Sequence, residues 1–240
     1  VTRFDITRND RDFGIRTYES VYDTARFVAG FDGAFANGWR FETFVNYGET
    51  KSEFTNFDRL QKEFYESIDA VTLNGQIVCR SADARSRGCQ PLNLFGAGIA
   101  SQEAIDYSYI NTVRNDVSRQ WNAVGTVNGE LFSYPSLFSG TNLPVQFAAG
   151  VEWRKEYARS VPDITSQKGL IFQNAQQITE GSYASKEVFG EINLPLLADV
   201  PFIQYLDLTA AYRYQDYTTT GGDSSYGVGL EWTVNRDIRF

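Results

Sequence analysis

The residues that could do chemistry in this sequence are mainly carboxylates. Glu152 and Glu156 are four residues apart, and so are Glu187 and Glu191. A glycosidase holds two carboxylates about 5–10 Å apart across the bond that it cleaves. Residues four apart on an extended strand are separated by about 13 Å, so these pairs do not suit that reaction. We interpret them as part of a hydrated, charged wall that helps to bind or guide a polar ligand.

The composition excludes several functional classes. None of the 240 residues is histidine, which excludes Ser-His-Asp catalysis, HExxH zinc chemistry and His-ligated haem. The 30 acidic residues outnumber the 22 basic ones, and the formal net charge is −8. Nucleic-acid binding usually needs a clustered basic face, so the charge argues against it. We predict no catalysed reaction, no cofactor and no metal site.

The two cysteines, Cys79 and Cys89, are ten positions apart. Two thiols with no histidine and no further cysteine do not match the usual metal-binding motifs. We interpret them as a loop disulfide formed in an oxidising compartment, with a pair of unlinked thiols as the alternative. Closing a loop this short would stabilise it by about 2–3 kcal/mol at most.

A glycine-rich stretch at 96–101 has only a superficial likeness to a phosphate-binding loop. It lacks the third glycine of GxGxxG, and no Lys-Ser/Thr pair follows it. We predict instead a glycine turn that leads into a helix with Ser101 at its N-cap and Glu103 in its first turn. Residues 57–71 also have helical spacing of their apolar side chains.

Period-2 alternation of polar and apolar residues dominates the rest of the chain and predicts strands. Several of these strands run for ten or more residues, whereas a soluble strand averages about five or six. Asn37-Gly38 separates the first two long strands and predicts a two-residue hairpin turn. The alternating stretches lie at 27–35, 39–47, 121–131, 147–154, 187–194, 208–215 and 226–234, with a shorter start at 2–6.

Strand length and connection length favour an outer-membrane barrel. The sequence has no run of 18 apolar residues and therefore predicts no transmembrane helix. Transmembrane strands, however, need only about 9–11 alternating residues. The connections near 54–115 and 160–181 are long and fall at one end, with the short 218–223 turn, while the other end has only short turns. Outer-membrane barrels have short periplasmic turns and longer extracellular loops. A soluble sandwich would also alternate, so it stays an alternative.

We therefore predict an all-β fold: an antiparallel transmembrane β-barrel segment of about eight strands, with a long, partly helical extracellular loop at 54–115. The tryptophans and tyrosines of the apolar face could stack against carbohydrate, but we favour the aromatic girdles of a barrel. The predicted interface aromatics are Trp39, Trp153, Tyr212 and Trp232. The predicted ligand-binding residues of the lumen wall are Arg40, Glu42, Glu152, Arg154, Glu187, Glu191, Arg213 and Glu231.

One ordered set of motifs resembles a known family. Residues 88–96 read GCQPLNLFG and are followed by Gly98 and by SQEA at 101–104. This stretch resembles a recurring loop segment of TonB-dependent outer-membrane receptors, in the form found in alphaproteobacteria of the Caulobacter and Sphingomonas type, where a cysteine matching Cys79 is usual. The stretches at 149–154, 187–191, 195–196, 211–214 and 229–232 resemble consecutive strands of such barrels.

The resemblance implies a function in transport. These receptors are 22-stranded barrels that are closed by an N-terminal plug, and they import iron chelates, cobalamin or oligosaccharides with energy passed on by TonB, ExbB and ExbD. We expect residues 1–240 to be the middle part of one such barrel domain, without the plug. The implied partners are outer-membrane lipid, the remaining strands and plug of the receptor, TonB-ExbB-ExbD acting through that plug, and a small-molecule ligand.

Two other functions stay open from the sequence. The chain could be a complete eight-stranded outer-membrane barrel with an adhesive or structural role. It could also be a secreted β-sandwich that binds or cleaves glycans. A requirement for detergent separates the sandwich from the two barrels, and the length of the whole gene separates the two barrels from each other.

Overall fold

The computed structural model describes Phe13 and residues 17–240, and within them the chain forms nine strands and four short helices. The strands are β1 (Tyr18–Ala34), β2 (Arg40–Arg59), β3 (Ala70–Leu73), β4 (Gln76–Cys79), β5 (Tyr109–Pro135), β6 (Asn142–Pro162), β7 (Thr179–Val200), β8 (Ile203–Tyr217) and β9 (Gly221–Thr233). The helices are α1 (Gln61–Ile68), α2 (Ala82–Ser86), α3 (Gln102–Ser108) and α4 (Ile164–Gln167). None of these helices is long and apolar enough to cross a membrane.

Seven strands form one sheet in the order β1-β2-β5-β6-β7-β8-β9. Each of the seven long alternating stretches lies within or largely within one of these strands, and all of the strands extend beyond it, up to the 27 residues of β5. The predicted strand at 2–6 lies outside the described residues. β7, β8 and β9 pair antiparallel, so that Leu194 lies opposite Leu208 and Leu208 lies opposite Leu230. Because side chains alternate along each strand, this register gathers apolar residues on one face and polar residues on the other.

The turn between β1 and β2 differs from the prediction. Phe35 N–H donates to Trp39 C=O at 2.7 Å, and Gly38 N–H donates to Phe35 C=O at 2.9 Å, so the loop has three residues rather than two. A two-residue type I′ turn needs a positive φ at both central positions, but here only Gly38 has one, at 85°. The two-residue prediction for Asn37-Gly38 was therefore wrong.

A second Asn-Gly pair, for which no turn was predicted, forms the two-residue turn that was predicted for Asn37-Gly38. Asn74 and Gly75 have φ angles of 51° and 79°, and Leu73 pairs with Gln76 across them. They join β3 to β4 in a separate two-stranded hairpin.

The long connection is shorter at both ends than predicted. β2 continues to Arg59 and β5 begins at Tyr109, so the connection covers 60–108 instead of 54–115. The helix expected over 57–71 is reduced to α1 because its ends belong to β2 and β3. The helix predicted after Ser101 is confirmed: the Ser101 hydroxyl accepts a hydrogen bond from Ala104 N–H at 3.2 Å, as an N-cap does.

The chain divides into two compact units. The first contains 51–117, 159–180 and the described residues up to 23, and the second contains 24–50, 118–158 and 181–240. The first unit has an apolar core, built on Phe64, Leu92, Ile105 and Tyr109, against which Phe172 packs. Cys79 and Cys89 form a disulfide in this unit, and both are buried.

Candidate ligand-facing wall

One face of the second unit carries a connected row of polar side chains. Arg26 Nε–H on β1 donates to Asn46 Oδ1 on β2 at 2.9 Å, and Asn46 Nδ2 donates to Gln120 Oε1 on β5 at 3.4 Å. Gln120 Nε2 then donates to Glu156 Oε1 on β6 at 2.6 Å. Four neighbouring strands are thus linked by side-chain hydrogen bonds on a single face.

A second network on the same face reaches β8 through ion pairs. Glu152 Oε1 accepts hydrogen bonds from Asn122 Nδ2 at 2.8 Å and from Arg154 Nη2 at 2.6 Å. Arg213 Nη2 lies 3.7 Å from Glu152 Oε2, and Arg213 Nε–H donates to Glu187 Oε2 at 2.7 Å. We call the whole set the polar band; its members are Arg26, Asn46, Gln120, Asn122, Glu152, Arg154, Glu156, Glu187 and Arg213.

The polar band balances its own charges but keeps donors exposed. It contains three arginines and three glutamates, so its formal charge is zero. The side chain of Glu187 is only 2% exposed, while those of Arg154 and Arg213 remain 37% and 43% exposed. Because these two guanidinium groups stay partly exposed, they can bind a polar ligand as well as their glutamates. They would do so through charge-assisted hydrogen bonds, which are stronger than neutral ones.

Four of the predicted wall residues meet in the polar band: Glu152, Arg154, Glu187 and Arg213. The other four lie elsewhere. The backbone C=O of Glu42 accepts a hydrogen bond from the Thr126 hydroxyl at 3.5 Å, and Glu191 lines a cavity of about 430 Å³. Glu231 pairs with Arg239 at 3.3 Å, and Arg40 is exposed at the start of β2.

The sequence did not single out the amides and the arginine that connect the band. Asn46 and Asn122 stood on the polar side of the alternation, but nothing in the sequence showed that they link strands. Arg26 was missed because β1 was predicted to begin only at 27. The paired strands bring these side chains within bonding distance, and pairing is not visible in a single sequence.

The predicted interface aromatics lie on the opposite, apolar face. Trp39 Nε1–H donates to Glu130 C=O at 2.8 Å, and Trp232 Nε1–H donates to Phe202 C=O at 3.0 Å. Both indoles thus sit near short turns. Trp153 and Tyr212 lie farther along their strands, with 38% and 53% of each residue exposed. Their role at a membrane interface stays a prediction.

A separate ionic cluster ties three helices of the first unit together. Arg87 Nη2 donates to Glu66 Oε1 of α1 at 2.7 Å and to Asp83 Oδ2 of α2 at 3.1 Å. The Tyr107 hydroxyl of α3 donates to Glu66 Oε2 at 2.7 Å. Burial alone would raise the pKa of Glu66, but hydrogen bonds from Tyr107 and Arg87 outweigh it and lower that pKa. Burial and the bond to Glu66 raise the pKa of Tyr107 to about 12.

No group of three or more His, Cys, Asp or Glu side chains could hold a metal ion in the part of the chain that the structure describes.

Comparison with known families defines the class of this protein. Residues 2–240 match the family described as "TonB dependent receptor-like, beta-barrel". The chain belongs to this family, whose members are transport receptors of the bacterial outer membrane. No curated protein matches the sequence. The likeness to the alphaproteobacterial form of the family stays a prediction.

Family membership orients the sheet. In outer-membrane barrels the short turns face the periplasm and the long loops are extracellular. The turns at 36–38, 136–141 and 201–202 are short and join strands at one end of the sheet. The connections at 60–108 and 163–178 join strands at the other end, and we infer that they are the extracellular loops, together with the short 218–220 turn.

Proposed function

We propose that this chain is part of a receptor that takes up a scarce nutrient actively across the outer membrane, and that the polar band lines the lumen. The observation that carries the proposal is the polar band itself, two bonded sets of ion pairs and amides on the face opposite the apolar one. A lipid-facing surface would not tolerate such a set, whereas the interior of an outer-membrane barrel is polar. The receptor binds and moves its ligand and catalyses no reaction.

The ligand belongs to one of three classes, an iron chelate, cobalamin or an oligosaccharide. The exposed guanidinium groups of Arg154 and Arg213 donate hydrogen bonds to it, and Arg40, Glu42, Glu191 and Glu231 add contacts along the wall. The extracellular connection at 60–108 contributes to its capture.

Further strands complete the barrel, and a plug closes its lumen and contacts TonB, which is energised by ExbB and ExbD. Support comes from the sheet itself, since among the described residues β1 and β9 form its two edges. Within a bilayer an exposed sheet edge leaves backbone groups unsatisfied, so both edges require partner strands.

Uptake by cells carrying the full-length receptor tests the proposal. Cells would be offered labelled ferric chelate, cobalamin and oligosaccharide in turn, with TonB present or deleted. We expect one nutrient to accumulate only when both the receptor and TonB are present. In the variant Arg154→Gln/Arg213→Gln, that uptake should fall when it is expressed per receptor present in the membrane. Equal uptake with TonB present and with TonB deleted would contradict active transport.

The intact mass of the natural polypeptide, taken from a membrane extract, tests the small-barrel alternative. A mass of roughly three to four times 27.1 kDa is expected for a plugged barrel of 22 strands. A mass near 27 kDa would favour a closed eight-stranded barrel instead. The secreted β-sandwich is not retained, because the family is one of outer-membrane barrels.

A further inference from the structure

The apolar face of the second unit gives way to a cation on each of three neighbouring strands. On β5, Arg119 lies two residues beyond the apolar Trp121. On β6, Lys155 lies two residues beyond Trp153. On β7, Lys186 lies two residues beyond Val188. Residues two apart share a face, and in all three strands the step runs towards the extracellular loops. All three cations are exposed.

Carboxylates lie beside the two outer cations of this row. Arg119 Nε lies 2.5 Å from Glu49 Oε2, and Lys186 lies opposite Asp216 in the pairing of β7 with β8. Three cations therefore face two carboxylates. The surplus positive charge is centred on Lys155, on the strand between the other two cations.

An apolar groove of about 460 Å³ crosses the same face nearer the middle of the strands. Gly125 leaves its floor open, since a Cβ there would be 3.8 Å from Val151 Cγ2 and 4.0 Å from Thr43 Oγ1. Among the lining residues of the apolar face, the one hydroxyl is that of Thr43, and it already donates to Val124 C=O at 3.0 Å. The groove therefore suits a chain that makes no hydrogen bonds. Its lining on this face includes Phe41, Thr43, Gly125, Ala149, Val151 and Val188.

The groove and the cations are close enough to bind one molecule. Val188 lines the groove two residues from Lys186, a distance of about 7 Å along the strand. Val151 is four residues from Lys155, about 13 Å, and Trp153 lies between them on the same face. The strands of outer-membrane barrels tilt by about 35–45°, so a groove that crosses them is inclined to the membrane normal. An acyl chain that enters from the headgroup region can therefore lie along it.

We propose that this surface is a binding site for one anionic lipid of the outer leaflet. Its phosphate contacts Lys155 and Lys186, and one acyl chain lies in the groove over Gly125 and Ala149. A lipid is the occupant because the groove is continuous with the lipid-facing surface of an outer-membrane barrel and offers no free hydroxyl. The proposal rests on the membrane location of the family and is independent of the transported nutrient.

Native mass spectrometry of the full-length receptor in mild detergent tests the site. The probes are phosphatidic acid and diacylglycerol with the same saturated chains. We expect phosphatidic acid to be retained more strongly than diacylglycerol. Lys155→Gln/Lys186→Gln should weaken phosphatidic acid binding by about fivefold for each lysine removed, since one surface cation contributes about that factor at a membrane. The control Lys168→Gln changes an exposed lysine of the first unit and should have no effect.

The acyl part of the site has its own variants. Gly125→Leu fills the groove and should lower retention of both lipids, while Val228→Leu, on an exposed part of the apolar face of β9, should not. Ala149→Leu replaces Gly125→Leu if that variant does not reach the membrane. Equal retention in the lysine variant and its control would overturn the proposal, as would an unchanged result in the filled groove. Displacement by inorganic phosphate alone would identify a free anion instead, and would also overturn it.

Discussion

Glu187 holds a charge in an enclosed position, and a single arginine compensates it. Its side chain is 2% exposed and pairs with Arg213 across β7 and β8. A buried carboxylate without its partner costs far more than the pair contributes, because the desolvation of the charge is no longer offset. The pair therefore affects the stability of the fold mainly when one of its two members is removed.

Arg213→Gln should destabilise the full-length receptor by about 1–3 kcal/mol, because it leaves Glu187 buried without its ion pair. The double variant Glu187→Gln/Arg213→Gln removes both charges and should recover much of that loss. Apparent melting temperature in lipid vesicles measures both effects. The single variant Glu187→Gln completes the comparison. If the loss of stability in the double variant equals the sum of the losses in the two single variants, the two side chains are not coupled.

Gly129→Ala should destabilise by about 1–3 kcal/mol through overpacking. A Cβ at Gly129 would lie 2.6 Å from Trp39 Cδ1 and 3.1 Å from Trp39 Cα, so the indole cannot relieve the clash by turning alone. Gly227→Ala is the matched control, since its Cβ would have nothing within 4 Å. Comparable melting temperatures for the two variants would contradict the close packing of Trp39 on β5.

At the residue scale the sequence identified chemistry but not partners. It placed Glu152 and Glu187 on one face, and the structure joins both to Arg213. It did not distinguish them from Glu191 or Arg40, which share the alternation but contact no member of the polar band. The difference comes from strand register, which depends on interactions between distant parts of the chain.

Among the elements, the helical part of the first extracellular connection is held by a few strong contacts. Its three helices have only five to eight residues, too short to be stable alone. The disulfide, the Ser101 N-cap and the Arg87 cluster replace the stability that helix length would give.

Cys79→Ser/Cys89→Ser should cost about 2–3 kcal/mol of local stability, the value expected for a closed loop of about ten residues. The site of the effect should be the segment between the cysteines and the adjoining α2. Hydrogen exchange of peptides from 60–108 measures it, with peptides from β8 as the internal reference. Unchanged exchange around α2 would show that its other contacts suffice.

Acid should loosen the contacts among α1, α2 and α3. The pKa of Glu66 is lowered in the folded state, so its contribution is present above the ordinary value of 4.5 and is lost as pH falls through the folded pKa. Tyr107 has a raised pKa, so its contribution is complete below 10.0 and is lost as pH rises through about 12. Hydrogen exchange of 60–108, corrected for intrinsic rates, should accelerate as pH falls below 4.5, the ordinary pKa of Glu66.

Glu66→Gln is the control for the acid effect. It should exchange faster than the natural protein at neutral pH, because the ion pair with Arg87 is gone, and should show little further change on acidification. Equal acid sensitivity in the variant would assign the effect to another group.

Secondary structure was predictable where the local signal was long. The alternation identified the seven sheet strands, and the Ser101 cap identified α3. The ends were less visible: residues 57–59 look helical by spacing, yet they continue β2 because their backbone pairs with other strands. The Asn37-Gly38 turn adopted a three-residue loop, which places one residue in the left-handed region instead of two.

For the whole molecule, the two extracellular connections have the most direct part in the proposed uptake. Replacing 61–107 by a short Gly-Ser turn in the full-length receptor should leave membrane insertion intact and reduce nutrient uptake at least tenfold, a loss of about 1.4 kcal/mol of binding or more. Lengthening the 218–220 turn by the same linker is the control and should preserve uptake. Full uptake by the shortened receptor would place ligand capture elsewhere.

The fold class and family were readable from the whole chain, but the grouping of its loops was not. Phe172 N–H donates to Arg59 C=O at 3.1 Å, and Gln61 N–H donates to Leu170 C=O at 2.8 Å. The Arg59 guanidinium lies over the rings of Phe64 and Phe172, at 5.0 and 4.4 Å. Backbone bonds thus join the connection at 163–178 to the one at 60–108, although the sequence presents them as unrelated segments.

This joining constrains how the outside of the receptor can evolve. Surface loops that fold separately can each change without the other. Here an insertion beside Leu170 would disturb its backbone bond with Gln61, so we expect changes in the two segments to occur together. Homologues that exchange one segment by recombination should carry the matching partner, and the two form a single unit of variation.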